Sequence, residues 1–422
     1  MADILSISKY NKTFVDKVGC KELQDLKKPL SESIKIKEQG FKKKVELTPN
    51  STASFGTKAV YTIPRSYGYV GNMMLYLELS AMTVNANELT YWGCGNYIET
   101  VEVKLGTKTV MKYQGTDLPK IYQMVNKGKK DVIEALAQGQ NIIVGTTKSL
   151  IPIYAPGSNC NFTVDAFDQR KPLWPIGMCN ADMTIEIQFR DKSKITKNND
   201  AVLSSAVLIF DAYAIEDNIN IGTKSITSNK DSGSVYYSWV GVYPQYYEKD
   251  ITTLALGTEY TINPDAIIDS GELDFLTLDL VDSTADLGTL YVYNSTCQIT
   301  KLNVTSGSGE LLKFDYIREG NLKTSGLIGC KNVVYNAGKG IGDGSFYVIP
   351  CANRIDLGPI TGNIGAKGLV LINNKPVIKM TVTSESSFTG NNNGKVRVTA
   401  YYKCMYNLKN DGTIDTKTDP NN

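Results

Sequence analysis

Alternating apolar and polar residues dominate this chain, and a period of two predicts β-strands rather than helices. The stretch 72–80 is the clearest case, because Leu75, Leu77 and Leu79 share one face of the predicted strand. One helix is expected in this half, over 117–138, opened by an Asp at its N-cap position. The pattern predicts strands near 58–64, 72–80, 97–105, 108–113, 141–146, 149–154, 161–166, 182–190 and 204–216.

The second half shows the same period of two. Around 273–280 both faces carry apolar residues, with Leu276 and Leu278 on one and Phe275 on the other, which predicts a strand packed between two layers. Further strands are expected near 237–242, 251–255, 289–293, 298–304, 310–317, 345–350, 368–372, 377–383 and 395–406. Strict alternation argues against parallel sheets, and short strands separated by frequent turn residues favour antiparallel sandwiches.

The boundaries between domains follow from composition. Small and polar residues over 221–235 predict a linker between the two β-rich blocks. The resulting divisions are an N-terminal arm 1–50, a first domain 51–220, a second domain 236–408 and a flexible tail 409–422. The dipeptide Ile-Pro occurs at 151–152 and again at 349–350, a weak similarity between the halves that is consistent with duplication.

Charge distinguishes the arm from the body. The whole chain carries a net charge of +2, which argues against nucleic-acid binding by bulk electrostatics. No sequence-specific nucleic-acid partner is expected. The first 50 residues, however, hold eleven Lys against seven acidic residues. Five of these lysines are expected to face an interior or a membrane surface: Lys35, Lys37, Lys42, Lys43 and Lys44.

The residue types that carry chemistry are scarce. The chain has no His, which removes the commonest general base and metal ligand, and its eight Cys never form Cys-x-x-Cys. We therefore expect free thiols, no metal, no cofactor and no catalytic site. The first residues lack the pattern of a signal peptide, and no apolar run is long enough to span a bilayer. The glycine-rich stretch 338–344 does not match a phosphate-binding motif and predicts a loop.

The order of several motifs resembles the double jelly-roll major capsid proteins of tailless icosahedral DNA viruses. That lineage includes tectiviruses, adenoviruses, virophages and large DNA viruses. The matching segments span residues 61–190 and are 61–65, 69–73, 75–79, 95–106, 113–119, 150–154, 172–176 and 183–190.

This resemblance implies an all-β fold of two tandem eight-stranded antiparallel jelly rolls, with a short helix in the first and an N-terminal arm. It also implies a structural role in the virion. Three copies would form a pseudo-hexameric capsomer, and capsomers would tile an icosahedral shell. The implied partners are other copies of this chain, penton and minor capsid or cement proteins, and an internal viral membrane. Deleting residues 1–45 is expected to leave the trimer intact and to impair shell closure or membrane attachment.

Two other functions remain open from the sequence. Aromatic residues between Tyr236 and Tyr247, with Trp239 among them, favour packing but also suit sugar stacking. The runner-up is therefore a receptor- or glycan-binding β-sandwich, such as a viral spike or a lectin. A weaker alternative is a jelly-roll hydrolase that uses Glu272 and Asp274, which alternate onto one face of a predicted strand.

Overall fold

In the residues that can be described, the computed structural model consists mainly of β-strands, with 3-10 turns at Arg65–Tyr67 and Ile176–Met178. Description of the molecule is confined to residues 41–82, 97–115, 117–118, 145–153, 155, 174, 176–192, 202–214, 235–251, 259–263, 272–282, 297–306, 309–315, 346–350, 369–370, 376–384, 394–409 and 411–417.

Eight strands build the first sandwich. They are β1 (Phe41–Leu47), β2 (Lys58–Ile63), β3 (Tyr69–Met82), β4 (Ile98–Leu105), β5 (Lys108–Gln114), β6 (Gly145–Pro152), β7 (Met183–Phe189) and β8 (Leu203–Ala214). They form two four-stranded antiparallel sheets, in the orders β1-β8-β3-β6 and β2-β7-β4-β5. This pairing of first with last strand, alternating between two sheets, is the connectivity of a jelly roll.

Ten strands follow in the second half. They are β9 (Val235–Ile251), β10 (Glu259–Ile262), β11 (Glu272–Asp282), β12 (Cys297–Ser306), β13 (Gly309–Asp315), β14 (Phe346–Pro350), β15 (Leu369–Val370), β16 (Pro376–Ser384), β17 (Gly394–Lys409) and β18 (Ile414–Lys417). One sheet has the order β10-β16-β12-β13, and in the other β17 lies between β9 and β11, with β14 on the far side of β11. The jelly-roll order of the first half is thus repeated, with β15 and β18 as additions.

The predicted alternation of apolar and polar residues matches the burial of their side chains in the structure. Leu75, Leu77 and Leu79 are fully buried between the two sheets of the first sandwich, where they face residues such as Ile185 and Ile187. The intervening residues of β3 and β7 are partly exposed. Burial of one face per strand is the main source of stability for such a sandwich.

The Ile-Pro dipeptide that occurs in both halves lies on equivalent strands. Pro152 ends β6 and Pro350 ends β14, and each of these strands is the edge neighbour of the third strand of its sandwich, β3 or β11. A proline at the end of an edge strand is tolerated because no ladder hydrogen bond is lost there. The correspondence is consistent with duplication of a single jelly roll.

Two segments differ from the sequence-based divisions. Phe41–Leu47, assigned to the arm, forms β1 and pairs with β8. Ile414–Lys417, assigned to a flexible tail, forms β18 and pairs with the end of β17. The first strand was missed because its run of lysines obscures the alternation of apolar and polar residues. The second was missed because it has only four residues. The predicted strands 161–166 and 289–293, nearly all of the linker 221–235 and nearly all of the helix 117–138 lie outside the described residues.

Candidate assembly surfaces

The hairpin formed by β17 and β18 joins the second sandwich to the first. The backbone N–H of Asn180 donates to the carbonyl oxygen of Gly412 at 2.9 Å. The Lys108 ammonium at the start of β5 donates to the carbonyl oxygen of Ile414 at 2.7 Å and lies 3.8 Å from Oδ1 of Asp415. Residues of both sandwiches therefore hold the C-terminal strand in place.

The turn of this hairpin has little freedom. Gly412 has φ +80°, and a Cβ added there would lie 2.7 Å from the backbone nitrogen of Asn180. Oδ1 of Asp411 accepts hydrogen bonds from the hydroxyl and backbone N–H of Thr413, at 2.6 and 2.8 Å. The hydroxyl bond is the main reason that the pKa of Asp411 is lowered. The turn is thus shaped to fit against the loop that carries Asn180.

A second connection is buried. The Tyr401 hydroxyl on β17 donates to Oδ1 of Asp117 at 3.3 Å, and both residues are almost completely inaccessible to solvent. Oδ2 of Asp117 accepts a hydrogen bond from the backbone N–H of Gln114 at 3.1 Å. The residue predicted to cap a helix therefore also contacts the second sandwich, and Tyr401 belongs to the same apolar cluster as the first-sandwich core.

Strands β11 and β17 of the second sandwich are buried on both faces over residues 276–278 and 396–401. Leu276, Thr277 and Leu278 are consecutive in β11 and each is fully buried. This observation confirms the prediction of a strand between two layers. Arg397 on β17 is 2 % exposed, and the register places Glu248 of β9 and Asp279 of β11 directly opposite it.

The outer face of the sheet β2-β7-β4-β5 carries a network of charges. Oε2 of Glu186 lies 2.8 Å from Nζ of Lys58, and Oε1 of Glu186 lies 2.8 Å from Nζ of Lys104. Lys104 is also 3.6 Å from a carboxylate oxygen of Glu102. Hydrogen bonds from Lys104 and Lys58 lower the pKa of Glu186, and the bond to Glu186 raises the pKa of Lys104. This face is charged and internally paired.

The outer face of the sheet β1-β8-β3-β6 differs in chemistry. Register pairs Tyr76 with Val207 on β8 and with Leu150 on β6, and it pairs Met74 with Ile209. All five side chains are partly exposed. We call these five residues the outer apolar patch.

Polar residues surround this patch. The Tyr76 hydroxyl donates to Oε2 of Glu78 at 3.0 Å, and Asn72 donates from Nδ2 to Oδ2 of Asp211 at 2.6 Å. Lys148 lies opposite Glu78 in the register. An apolar centre with a polar border is the usual anatomy of a protein interface.

The predicted lysine cluster is only partly described. Lys42, Lys43 and Lys44 lie in β1, where Lys43 and Lys44 are exposed, whereas Lys35 and Lys37 fall outside the described residues. Successive residues of a strand alternate between faces, so Lys43 and Lys44 do not share one. Lysines on an edge strand also discourage unwanted pairing with other strands.

The residues considered for sugar binding or hydrolysis lie within strands. The aromatic residues from Tyr236 to Tyr247 all lie in β9, which pairs with β17 along nearly its whole length. Glu272 and Asp274 lie in β11, where the register shifts between Leu273 and Phe275. Within the described residues, no group of three or more His, Cys, Asp or Glu is arranged to hold a metal ion.

Two further observations on the described residues concern the thiol of Cys179 and membrane-spanning helices. Cys179 is a buried free thiol, and burial raises its pKa to about 12. Among the helices described, none combines the length and the apolar character needed to cross a bilayer.

Sequence comparisons give no family for this chain, because no family model and no curated protein matches it. Solved structures do match. The PBCV-1 virus capsid superposes with a TM-score of 0.63 at 10% identity, covering 89% of this chain and 96% of that chain. The Faustovirus major capsid protein gives 0.58 at 9% identity, covering 87% and 90%. The mavirus major capsid protein gives 0.51 at 8% identity, covering 89% and 90%.

The fold of this chain is therefore that of major capsid proteins with paired jelly rolls. The resemblance predicted from residues 61–190 is confirmed at the level of fold. The similarity also extends beyond that segment, since each comparison covers both sandwiches and nearly the full length of the matched protein.

Proposed function

We propose that this chain is the major capsid protein of an icosahedral virus, a structural subunit without enzymatic activity that resides in the virion shell. The observation that carries the proposal is the repeated strand order, which gives one chain two equivalent sandwiches. Three such chains supply six similar units, which suits a pseudo-hexameric capsomer with closed cyclic symmetry. The full-length structural similarity to capsid proteins supports this assignment.

The contacts between the two sandwiches fit a rigid building block. The buried Tyr401–Asp117 hydrogen bond and the Lys108 and Asn180 contacts with the C-terminal hairpin fix one sandwich against the other. A shell subunit needs this rigidity because a small change in angle within each subunit is multiplied around the capsomer. The same chain then makes weaker contacts between capsomers through polar surfaces.

Other partners are proposed from the shell architecture. The N-terminal segment, which includes Lys35 and Lys37, faces the interior, where its positive charge favours an anionic membrane surface or packaged genome. Penton and minor capsid proteins complete the shell. Glycan or receptor binding is a less favoured function, because the solved structures that match nearly the whole chain are capsid proteins.

Light scattering coupled to size-exclusion chromatography tests the proposal. The expected result is a stable species of three chain masses, together with no saturable binding on a glycan array. A monomer that binds a glycan with saturation would overturn it in favour of the β-sandwich receptor.

A further inference from the structure

The C-terminal hairpin completes the apolar core of the first sandwich. Among the described residues, three from the second half belong to that core cluster, and each is at most 4 % exposed: Tyr401 and Leu408 of β17 and Ile414 of β18. Seven residues separate Tyr401 from Leu408, which is about 23 Å along an extended strand. The hairpin therefore reaches the first sandwich at two well-separated places, one at Tyr401 and one at its turn.

The first sandwich receives the turn of the hairpin on a segment that is held in place without it. This docking segment, residues 176–182, is bonded to other parts of the first sandwich. The backbone N–H of Gly177 donates to the carbonyl oxygen of Gly68 at 2.7 Å, and the N–H of Gly106 donates to the carbonyl oxygen of Asp182 at 3.2 Å. Neither bond involves the hairpin, so the docking segment keeps its shape when the hairpin is absent.

The contact between the turn and the first sandwich is small. It includes the hydrogen bonds from Asn180 to the carbonyl oxygen of Gly412, at 2.9 Å, and from Lys108 to that of Ile414, at 2.7 Å. The ion pair between Lys108 and Asp415 adds little, because the two side chains are 47 % and 39 % exposed. Docking thus depends on hydrogen bonds and on the burial of Ile414, which suits a contact that opens locally.

Strand β18 follows every other described strand in the chain. The hydrogen bond between Lys108 and Ile414 spans 306 residues. Contacts between such distant residues form late, because closing the intervening chain costs conformational entropy. Domains also fold in the order in which they are synthesised, so the first sandwich precedes β18. The turn of the hairpin therefore docks on a sandwich that is already folded.

We propose that the turn and β18, residues 411–417, form a strap that docks last and fixes the angle between the two sandwiches. While the strap is undocked, the Tyr401–Asp117 bond and the contact of β9 with β5 still join the sandwiches, but as a pivot. Docking at a second place removes this freedom before subunits meet and so lowers the entropy cost of association. That last consequence rests on the proposed function, whereas the strap itself does not.

Distances within one chain test the strap directly. Spin labels are attached through unnatural amino acids at Glu99 on β4 and Lys301 on β12, which are both exposed, and the labelled chain is diluted with unlabelled chain. Deleting 410–422 removes the strap, and deleting 418–422 is the control that keeps it. We expect a narrow distance distribution in the wild type and the control, and one about twice as wide in the longer deletion. Equal widths would overturn the inference.

Point variants separate loss of docking from loss of the fold. I414D places a carboxylate in the apolar cluster, whereas D415N, on the next residue, removes only an exposed charge. We expect I414D to match the longer deletion and D415N to match the wild type. Hydrogen exchange of the amides that join β3 to β8 shows whether the first sandwich stays folded. Loss of that protection in I414D and the longer deletion would make the hairpin an integral part of the sandwich and would overturn the inference.

Hydrogen exchange of the unaltered protein is the second measurement. The Asn180 amide, which donates to Gly412, should exchange about tenfold or more faster than the amides that join β3 to β8, because the strap opens without unfolding the sandwich. Exchange of both at one rate would overturn the inference. Both measurements concern contacts within a single chain. A monomeric wild type would therefore overturn the proposed function and leave the strap standing.

Discussion

The hydroxyl of Tyr401 lies 3.3 Å from Oδ1 of Asp117, a residue 284 positions earlier in the chain. Tyr401 lies on the outer face of the second sandwich and Asp117 follows the edge strand of the first. Both are buried. This hydrogen bond shows that the two sandwiches form one unit, since a hydroxyl and a carboxylate at this depth are retained only where each finds a partner.

Replacing Tyr401 with Phe tests the contribution of this bond to stability. We expect Y401F to lower the free energy of unfolding by about 1–2 kcal/mol, because a buried carboxylate loses a hydrogen-bond donor. Urea denaturation followed by fluorescence measures the difference. The control is Y76F, whose partly exposed hydroxyl contacts Glu78 and whose loss should cost less than about 0.5 kcal/mol. Equal losses in the two variants would contradict the assigned role of Tyr401.

Gly412 offers a test of the hairpin contact. Its φ of +80° already disfavours a side chain, and an added Cβ would lie 2.7 Å from the Asn180 nitrogen. G412A should cost about 2–4 kcal/mol, since backbone strain and a steric clash combine. Gly56 is the matched control, because its φ is +83° while its nearest neighbour to an added Cβ is 3.7 Å away. G56A should therefore cost only about 1 kcal/mol. Thermal unfolding with equal losses for G412A and G56A would argue against the close contact.

The Glu186 network predicts a pH dependence. The pKa of Glu186 is lowered in the folded state, so its stabilisation is present above the ordinary Glu pKa of about 4.3 and is lost as pH falls through the lower folded value. The pKa of Lys104 is raised, so its part is present below about 10.4 and is lost as pH rises through the higher folded value.

The expected behaviour of E186Q follows from these signs. Between about pH 5 and pH 10 the variant should be less stable than wild type by about 0.5–1 kcal/mol, as for a surface ion-pair network, with a smaller difference in high salt. Urea titrations at several pH values measure the difference, with E99Q on the exposed face of β4 as the control. A difference that persists unchanged at pH 3 would contradict the role of the carboxylate charge.

Deletions that end before or after β1 test the role of the basic N-terminal segment. Strand β1 begins at Phe41, so a deletion to residue 45 would also remove most of an edge strand. Deleting 1–38 should leave the trimer mass and the unfolding temperature unchanged while reducing the yield of closed shells in electron micrographs. Deleting 1–47 should in addition lower stability, because β8 loses one of its two neighbouring strands. Normal shell yield after deletion of 1–38 would show that the basic segment has no role in closure.

The sequence predicted the parts of the fold that follow from the local alternation of apolar and polar residues. Leu75, Leu77 and Leu79 are buried as expected, and the apolar character of both faces around Leu276 correctly indicated a strand between layers. The turn at Gly106, with φ +58°, joins β4 to β5, and these two strands were predicted over 97–105 and 108–113.

The missed features depend on distant partners. Strand β1 is an edge strand in which Lys43 and Lys44 are exposed and Val45 is buried. A single apolar residue among lysines was not enough to predict a strand with one buried face. Asp411–Gly412 is a turn signal that could have indicated the hairpin to β18. The Tyr401–Asp117 bond and the outer apolar patch had no local signature, because each depends on strands brought together by the whole topology.

Cryo-electron microscopy of the purified full-length protein tests directly whether the two sandwiches occupy equivalent places in a capsomer. We expect a particle of three chains whose averaged map shows six similar jelly-roll lobes in a ring. A map of a single chain, or of an assembly whose lobes do not form a closed ring, would contradict this equivalence.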